Sequence, residues 1–192
     1  TVTHAQNTDT NAVDGWTPSA RVNIACSTLE VTAGGKIDVN YRGYLGGQTA
    51  NKDGHGPGRG RGRGTDSSDG GAGGYGGTGG TAFKSGFMNY GLTYGSSTLP
   101  EDPGSGGGSG NTDAADGGAG GGSVRIVATG TVAVNGHILA NGGNGPEYGG
   151  AGSGGGVFID CLALSGSGGV VSAIGGNGAS RSGGGGGGRI AV

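Results

Sequence analysis

Large aliphatic and aromatic side chains are scarce in this chain. Leu, Ile, Val and Phe account for 30 of 192 residues, with one Trp and one Met. Below about 20% of these residues a chain ordinarily cannot bury a conventional core. Charge is equally sparse. Only 12% of residues are charged and the formal net charge is −2, far from the high net charge that accompanies disorder. That balance also offers nucleic acid or an anionic membrane surface no electrostatic handle, and neither is expected as a partner. No run approaches 18 apolar residues, so no membrane-spanning helix is expected. Apolar residues nowhere form a stripe with a 3.6-residue period, which excludes a helical bundle. Two cysteines are too few for a disulfide framework, though enough for one bridge.

Glycine fills the space these absences leave. There are 56 glycines, and residues 1–40 hold only Gly15, Gly34 and Gly35. An ordered chain of this kind must be held largely by backbone hydrogen bonds between closely approaching segments, which glycine permits without steric cost. The first forty residues read as a Thr/Asn-rich arm over 1–20, which offers a strand for subunit contact, followed by strands. Val22, Ile24 and Cys26 alternate with Asn23 and Ala25; Leu29, Val31, Ile37 and Val39 follow across an Ala-Gly-Gly turn. Period-two alternation of β-branched residues between turns is a strand signal.

The second half repeats itself. Val124-Arg125-Ile126, Val157-Phe158-Ile159 and Ile190-Ala191-Val192 follow one another at 33-residue offsets, and Ile138 and Val171 keep the same spacing. Residues 43–123 interrupt the repeat with a glycine-rich insertion, in which 70–81 reads as four Gly-Gly-X triplets, the three-residue period of an extended polyproline-II-type chain. Such periods indicate stacked repeats. The expected fold is therefore an all-β, glycine-rich β-solenoid of parallel β-helix type with extended polyglycine-II-type segments. A single domain over 21–192 would carry the 43–123 insertion.

The segments Gly43-Tyr44-Leu45-Gly46-Gly47, Gly104-Ser105-Gly106-Gly107-Gly108, Ala140-Asn141-Gly142-Gly143-Asn144-Gly145 and Gly185-Gly186-Gly187-Gly188-Arg189-Ile190-Ala191 together resemble glycine-rich repeat regions of large secreted bacterial surface proteins. The resemblance covers residues 22–192. It implies an extracellular or cell-surface location and a structural or adhesive role, and it brings across no catalytic residue.

Candidate sites follow from the same residues. Incomplete repeats at both ends leave unpaired edge groups, which are templates for another chain. Thr1, Val2 and Thr3 at one end and Arg189, Ile190 and Val192 at the other are the candidates for head-to-tail assembly with further copies of this chain. The leading expectation is thus a structural subunit of an extracellular filament or matrix fibre. The alternative is an adhesin that displays the 43–123 insertion to a glycan or receptor. The aromatics Phe83, Phe87, Tyr90 and Tyr94 in it could stack on sugar or a partner, but read first as local packing that anchors the insertion. Cys26 and Cys161 hold equivalent repeat positions and are a disulfide candidate, within or between chains. Asp113 and Asp116 could supply oxygen ligands to Ca²⁺, although most loop acids read as turn formers. Arg59, Arg61 and Arg63 alternate with glycine and read as a solvated loop pairing with Asp53, Asp66 and Asp69. His4, His55 and His137 lack metal-hydrolase spacing, and no enzymatic activity and no resident cofactor is expected.

Overall fold

A computed structural model describes residues 1–13, 15–63, 69–82, 89–111 and 115–192. Strands form where β-branched residues alternate. They are β1 (Val22–Cys26), β2 (Leu29–Val31), β3 (Lys36–Asp38), β4 (Ser123–Ala128), β5 (Thr131–Val134), β6 (His137–Leu139), β7 (Gly156–Asp160), β8 (Ala163–Ser165), β9 (Val170–Ser172) and β10 (Arg189–Ala191). They pair in parallel into three sheets, ordered β1-β4-β7-β10, β2-β5-β8 and β3-β6-β9.

The 33-residue offset becomes strand register. Val124 faces Val157 and Val157 faces Ile190, while Ile138 faces Val171. Across the insertion the rows continue, with Val22 on Val124, Ile24 on Ile126 and Ile37 on Ile138. Like side chains therefore stack on like, and the inward members Val124, Ile126, Val132, Ile138, Val157 and Ile159 are fully buried in one core. Burying each such side chain stabilises by about 1.5–3 kcal/mol.

The expectation of an all-β solenoid is corrected. Among the described residues there is no helix, strand takes in 22%, and that strand lies in three short parallel sheets with no closed sheet or continuous solenoid. The reason lies in how the glycine runs satisfy their backbone groups. A strand offers hydrogen bonds on two sides only, whereas these segments offer them all around. Residues 104–109 illustrate it. Gly104 and Gly107 donate to the carbonyls of Gly121 and Gly118, Gly106 and Ser109 to those of His55 and Lys52, and Gly108 to that of Gly71. Their own carbonyls accept from Tyr44 and Gly47, from Ser153 and Gly150, and from Gly60 and Arg63. One segment thus bonds to six others, and five of the six are revisited three residues on.

This lattice needs glycine at its crossings. A Cβ on Gly107 would come within 3.0 Å of the Gly150 carbonyl, and one on Gly106 within 3.0 Å of the Leu45 carbonyl. The buried serines that interrupt the runs add side-chain bonds. Ser105 Oγ accepts from Gly58 N–H at 3.0 Å, Ser153 Oγ from Ser105 N–H at 2.9 Å, and Ser109 Oγ from Lys52 N–H at 2.7 Å. Insertion segments and repeat segments share the lattice, so the insertion and the sheets pack as one body.

The insertion is also tied to the sheets. Pro100 and Pro103 are fully buried. Glu101 between them meets Arg125 of β4 at 2.6 Å and Arg21 at 3.5 Å.

Candidate functional site

The three sheets end differently on their two sides. On one side, among the described residues, β8, β9 and β10 have no further strand beyond them. Leu164 and Val171 occupy the rows of Val132 and Ile138, yet Leu164 is 46% exposed where Val132 is fully buried. Ile190 is 45% and Val192 69% exposed. Between Val134, Leu164 and Val171 lies an open cavity of about 330 Å³. Among the described residues no strand covers the core here, so the outward N–H and C=O groups of these edge strands have no ladder partner. On the opposite side, β1 and β2 are also edge strands, while β3 is covered by the chain's own N-terminal arm. Val2 bridges Ile37 in parallel; its N–H donates to Lys36 O, and its carbonyl accepts from Asp38 N–H, each at 2.8 Å.

The assembly candidates therefore fall at opposite ends of the sheets. Thr1, Val2 and Thr3 lie beside β3; Arg189, Ile190 and Val192 lie on or just after β10. Arg189 is engaged internally: its Nη2 donates to Tyr94 O at 3.1 Å and its guanidinium lies 5.5 Å from the centre of the Tyr75 ring. The arm itself is anchored by fully buried Asn7, whose Nδ2 donates to the carbonyls of Ala20 (3.1 Å) and Arg42 (3.0 Å). His4 completes the anchorage. Its Nε2 accepts from Ser123 N–H at 3.3 Å, and its Nδ1 faces Ala5 O at 2.6 Å. Burial lowers the His4 pKa below its ordinary 6.5, and the Arg42 charge adds to that, against the opposing pull of the Ala5 carbonyl.

Cys26 and Cys161 are free thiols, each partly buried against the core. Cys26 pairs with Ala128, and Val127 pairs with Asp160, the residue before Cys161. Ala128 thus stands between the two cysteines, which lie roughly two strand spacings, about 10 Å, apart. A disulfide needs Cα atoms within about 7 Å, so the intrachain bridge considered from sequence is not formed in this structure.

Of the two calcium candidates, Asp113 lies outside the described residues. Asp116 spends its Oδ1 accepting Thr49 N–H at 2.9 Å. Among the described residues no three His, Cys, Asp or Glu side chains gather in a group that could hold a metal ion, and no helix is long and apolar enough to cross a membrane.

The aromatic expectation divides. Phe83 and Phe87 lie outside the described residues, and Tyr94 is an internal anchor. Its hydroxyl donates to Pro103 O at 2.5 Å and accepts from Ser105 Oγ at 2.9 Å. Its ring lies 4.8 Å from that of Tyr75. Burial raises the pKa of both phenols, Tyr94 well above its ordinary value. Desolvation likewise raises the Asp102 carboxyl, against the charges of Arg21 and Arg189.

The arginine-glycine stretch proves to be a two-faced loop. Gly54, Gly56, Gly58 and Gly60 are buried in the lattice, while the odd positions Asp53, His55, Pro57, Arg59 and Arg61 face outward. Arg59 pairs with Asp53 at 3.7 Å. Its guanidinium lies 5.5 Å from the centre of the Trp16 ring, and that indole meets Tyr44 and His55 edge-on. Asp66 lies outside the described residues; among those described, neither Arg61 nor Arg63 forms an ion pair. Sequence reasoning did not foresee Trp16 beside this loop, since nothing in the spacing of residues 16 and 59 announces their contact. No protein-family model matches the chain, and neither a curated protein nor a solved structure matches it.

Proposed function

We propose that this protein is a structural subunit of an extracellular filament or matrix fibre, in which copies join edge to edge along the direction of strand stacking. The observation that supports this reading most is the uncovered face at β8, β9 and β10, where Leu164 and Ile190 lie half-exposed although Val132 and Val157, their neighbours in the same rows, are fully buried. All strands run parallel, so the free edge of β10 in one copy matches the free edge of β1 in the next. Ile190 would continue into the next copy's Val22, the residue that heads its own row. Such an interface is heterologous, and unless its rotation closes a ring it propagates as a fibre. Main-chain bonds would supply the joint's strength and the apolar rows its register. The arm's Val2 would serve as the outermost member of the third sheet, facing the incoming β9.

Negative-stain microscopy and light scattering on purified protein test the reading. Filaments that lengthen with concentration, and their loss in Leu164→Lys and Ile190→Lys, are the expected results. Only monomers across the whole concentration range would overturn it.

A further inference from the structure

Beside the arginine-glycine loop two open cavities, of about 400 and 250 Å³, meet at Arg59. Trp16, Lys52, Asp53 and His55 line the first, and Arg61 and Tyr90 the second. We propose that this groove binds an acidic saccharide, a sugar carrying a carboxylate or sulfate group. The proposal is independent of filament formation, since one chain supplies every residue.

Three features carry it. The first is unmatched positive charge next to aromatic surface. Lys52 and Arg61 are exposed and form no ion pair among the described residues, whereas Arg59 is held in place by Asp53 and by the indole. Two unpaired cations beside aromatic rings suit a ligand that is flat and apolar on one face and anionic at its edge.

The second is rigidity. Trp16 is held at φ 62°, in the left-handed region that bulky residues rarely adopt. Its carbonyl accepts the Tyr44 hydroxyl at 2.5 Å. The Arg61 backbone is fixed on both sides, its N–H donating to Asn89 O at 2.8 Å and its carbonyl accepting from Gly71 N–H at 2.9 Å. The outward side chains are therefore presented from a lattice that does not need to reorganise, which lowers the cost of binding.

The third feature separates a sugar from a nucleic acid, the other ligand that cations and aromatics attract. Asp53 lines the larger cavity together with Thr10 and Gln48. Its carboxylate is engaged by Arg59 and by Gly62 N–H at 2.9 Å, which leaves the hydroxyl of Thr10 and the amide of Gln48 to meet the hydroxyls that a sugar carries around its ring and an oligodeoxynucleotide does not.

Trp16 is the only tryptophan, so its fluorescence reports on this groove alone. The full chain should be titrated with trigalacturonate, a sulfated disaccharide, maltose and oligothymidylate, with calorimetry run in parallel so that a spectroscopically silent event is still counted. A saturable response to trigalacturonate or the sulfated disaccharide is expected, and whichever responds names the acid group. Maltose should give none. Arg61→Ala and Lys52→Ala, both at exposed positions, should each weaken binding tenfold or more while leaving the melting temperature unchanged. No heat and no fluorescence change with either acidic sugar at millimolar concentration would overturn the proposal. So would equal or tighter binding of oligothymidylate, or undiminished binding in both variants.

Discussion

At the scale of single residues, the glycines are not equivalent, although the runs that hold them look uniform. A methyl group on Gly107 would meet the Gly150 backbone, which cannot swing aside, while a methyl group on Gly187 would meet nothing within 4 Å. Gly107→Ala should therefore destabilise the fold by about 1–3 kcal/mol or more, as overpacking does. Gly187→Ala should be neutral, or stabilising by about 0.4–1 kcal/mol through the unfolded chain. Denaturant unfolding of the two variants side by side checks the contrast, and equal losses would show that the lattice does not discriminate. His4 gives a second residue-scale expectation. Its folded pKa lies below 6.5, so its contribution is present above pH 6.5 and is lost as pH falls through the lowered value. Protonation adds a proton to the nitrogen that accepts Ser123 N–H. Acidification should thus lower the protection factors, taken against the intrinsic exchange rate at each pH, of the amides of Ser123 and of Asp38, whose N–H is held by Val2 O. His4→Asn should flatten that pH dependence.

At the scale of elements, what could be read in advance followed side-chain pattern. The alternation of Val22, Ile24, Leu29, Val31 and Ile37 marks β1, β2 and β3, and the 33-residue offset marks which strands become neighbours. Both depend on side chains that differ from their surroundings. The glycine segments carry no such contrast. That residues 104–109 bond to six neighbours follows from where backbone N–H and C=O groups point, and no residue type records that direction. For the same reason the chain reads as a two-sided β architecture throughout, whereas strand stops wherever the β-branched residues stop. The contact of Trp16 with Arg59, and the pairing of Tyr75 with Tyr94, were equally invisible, because each joins segments placed by the lattice. One tie between the two kinds of element can be measured. Glu101 bridges Arg21 and Arg125, but all three side chains are about a third exposed, so solvent screens the pair. Glu101→Gln should lower stability by about 0.5–1 kcal/mol, and the difference should shrink as salt is raised from 0.05 to about 1 M.

At the scale of the whole molecule, the sheets and the glycine lattice share too many parts to unfold separately. Gly150 and Ser153, just before β7, bond to Gly108 and Ser105 in the insertion. The side chain of Arg189 on β10 reaches Tyr94 O and the face of Tyr75, and Pro100 and Pro103 are buried where the insertion passes the sheets. Removing either half would strand buried backbone groups in the other, each costing about 1–3 kcal/mol when left without a partner. The chain should accordingly melt in one transition. Two probes separate the halves: Trp16 fluorescence follows the lattice around Tyr44 and Arg59, and far-UV circular dichroism follows the strands. Their midpoints should coincide, and Tyr94→Phe, which removes the hydroxyl bonded to Pro103 and Ser105, should lower both together. An early fluorescence transition with the strand signal intact would mean that the sheets stand without the lattice. The repeat strands would then be the true folding unit, and the glycine runs a cover laid over it.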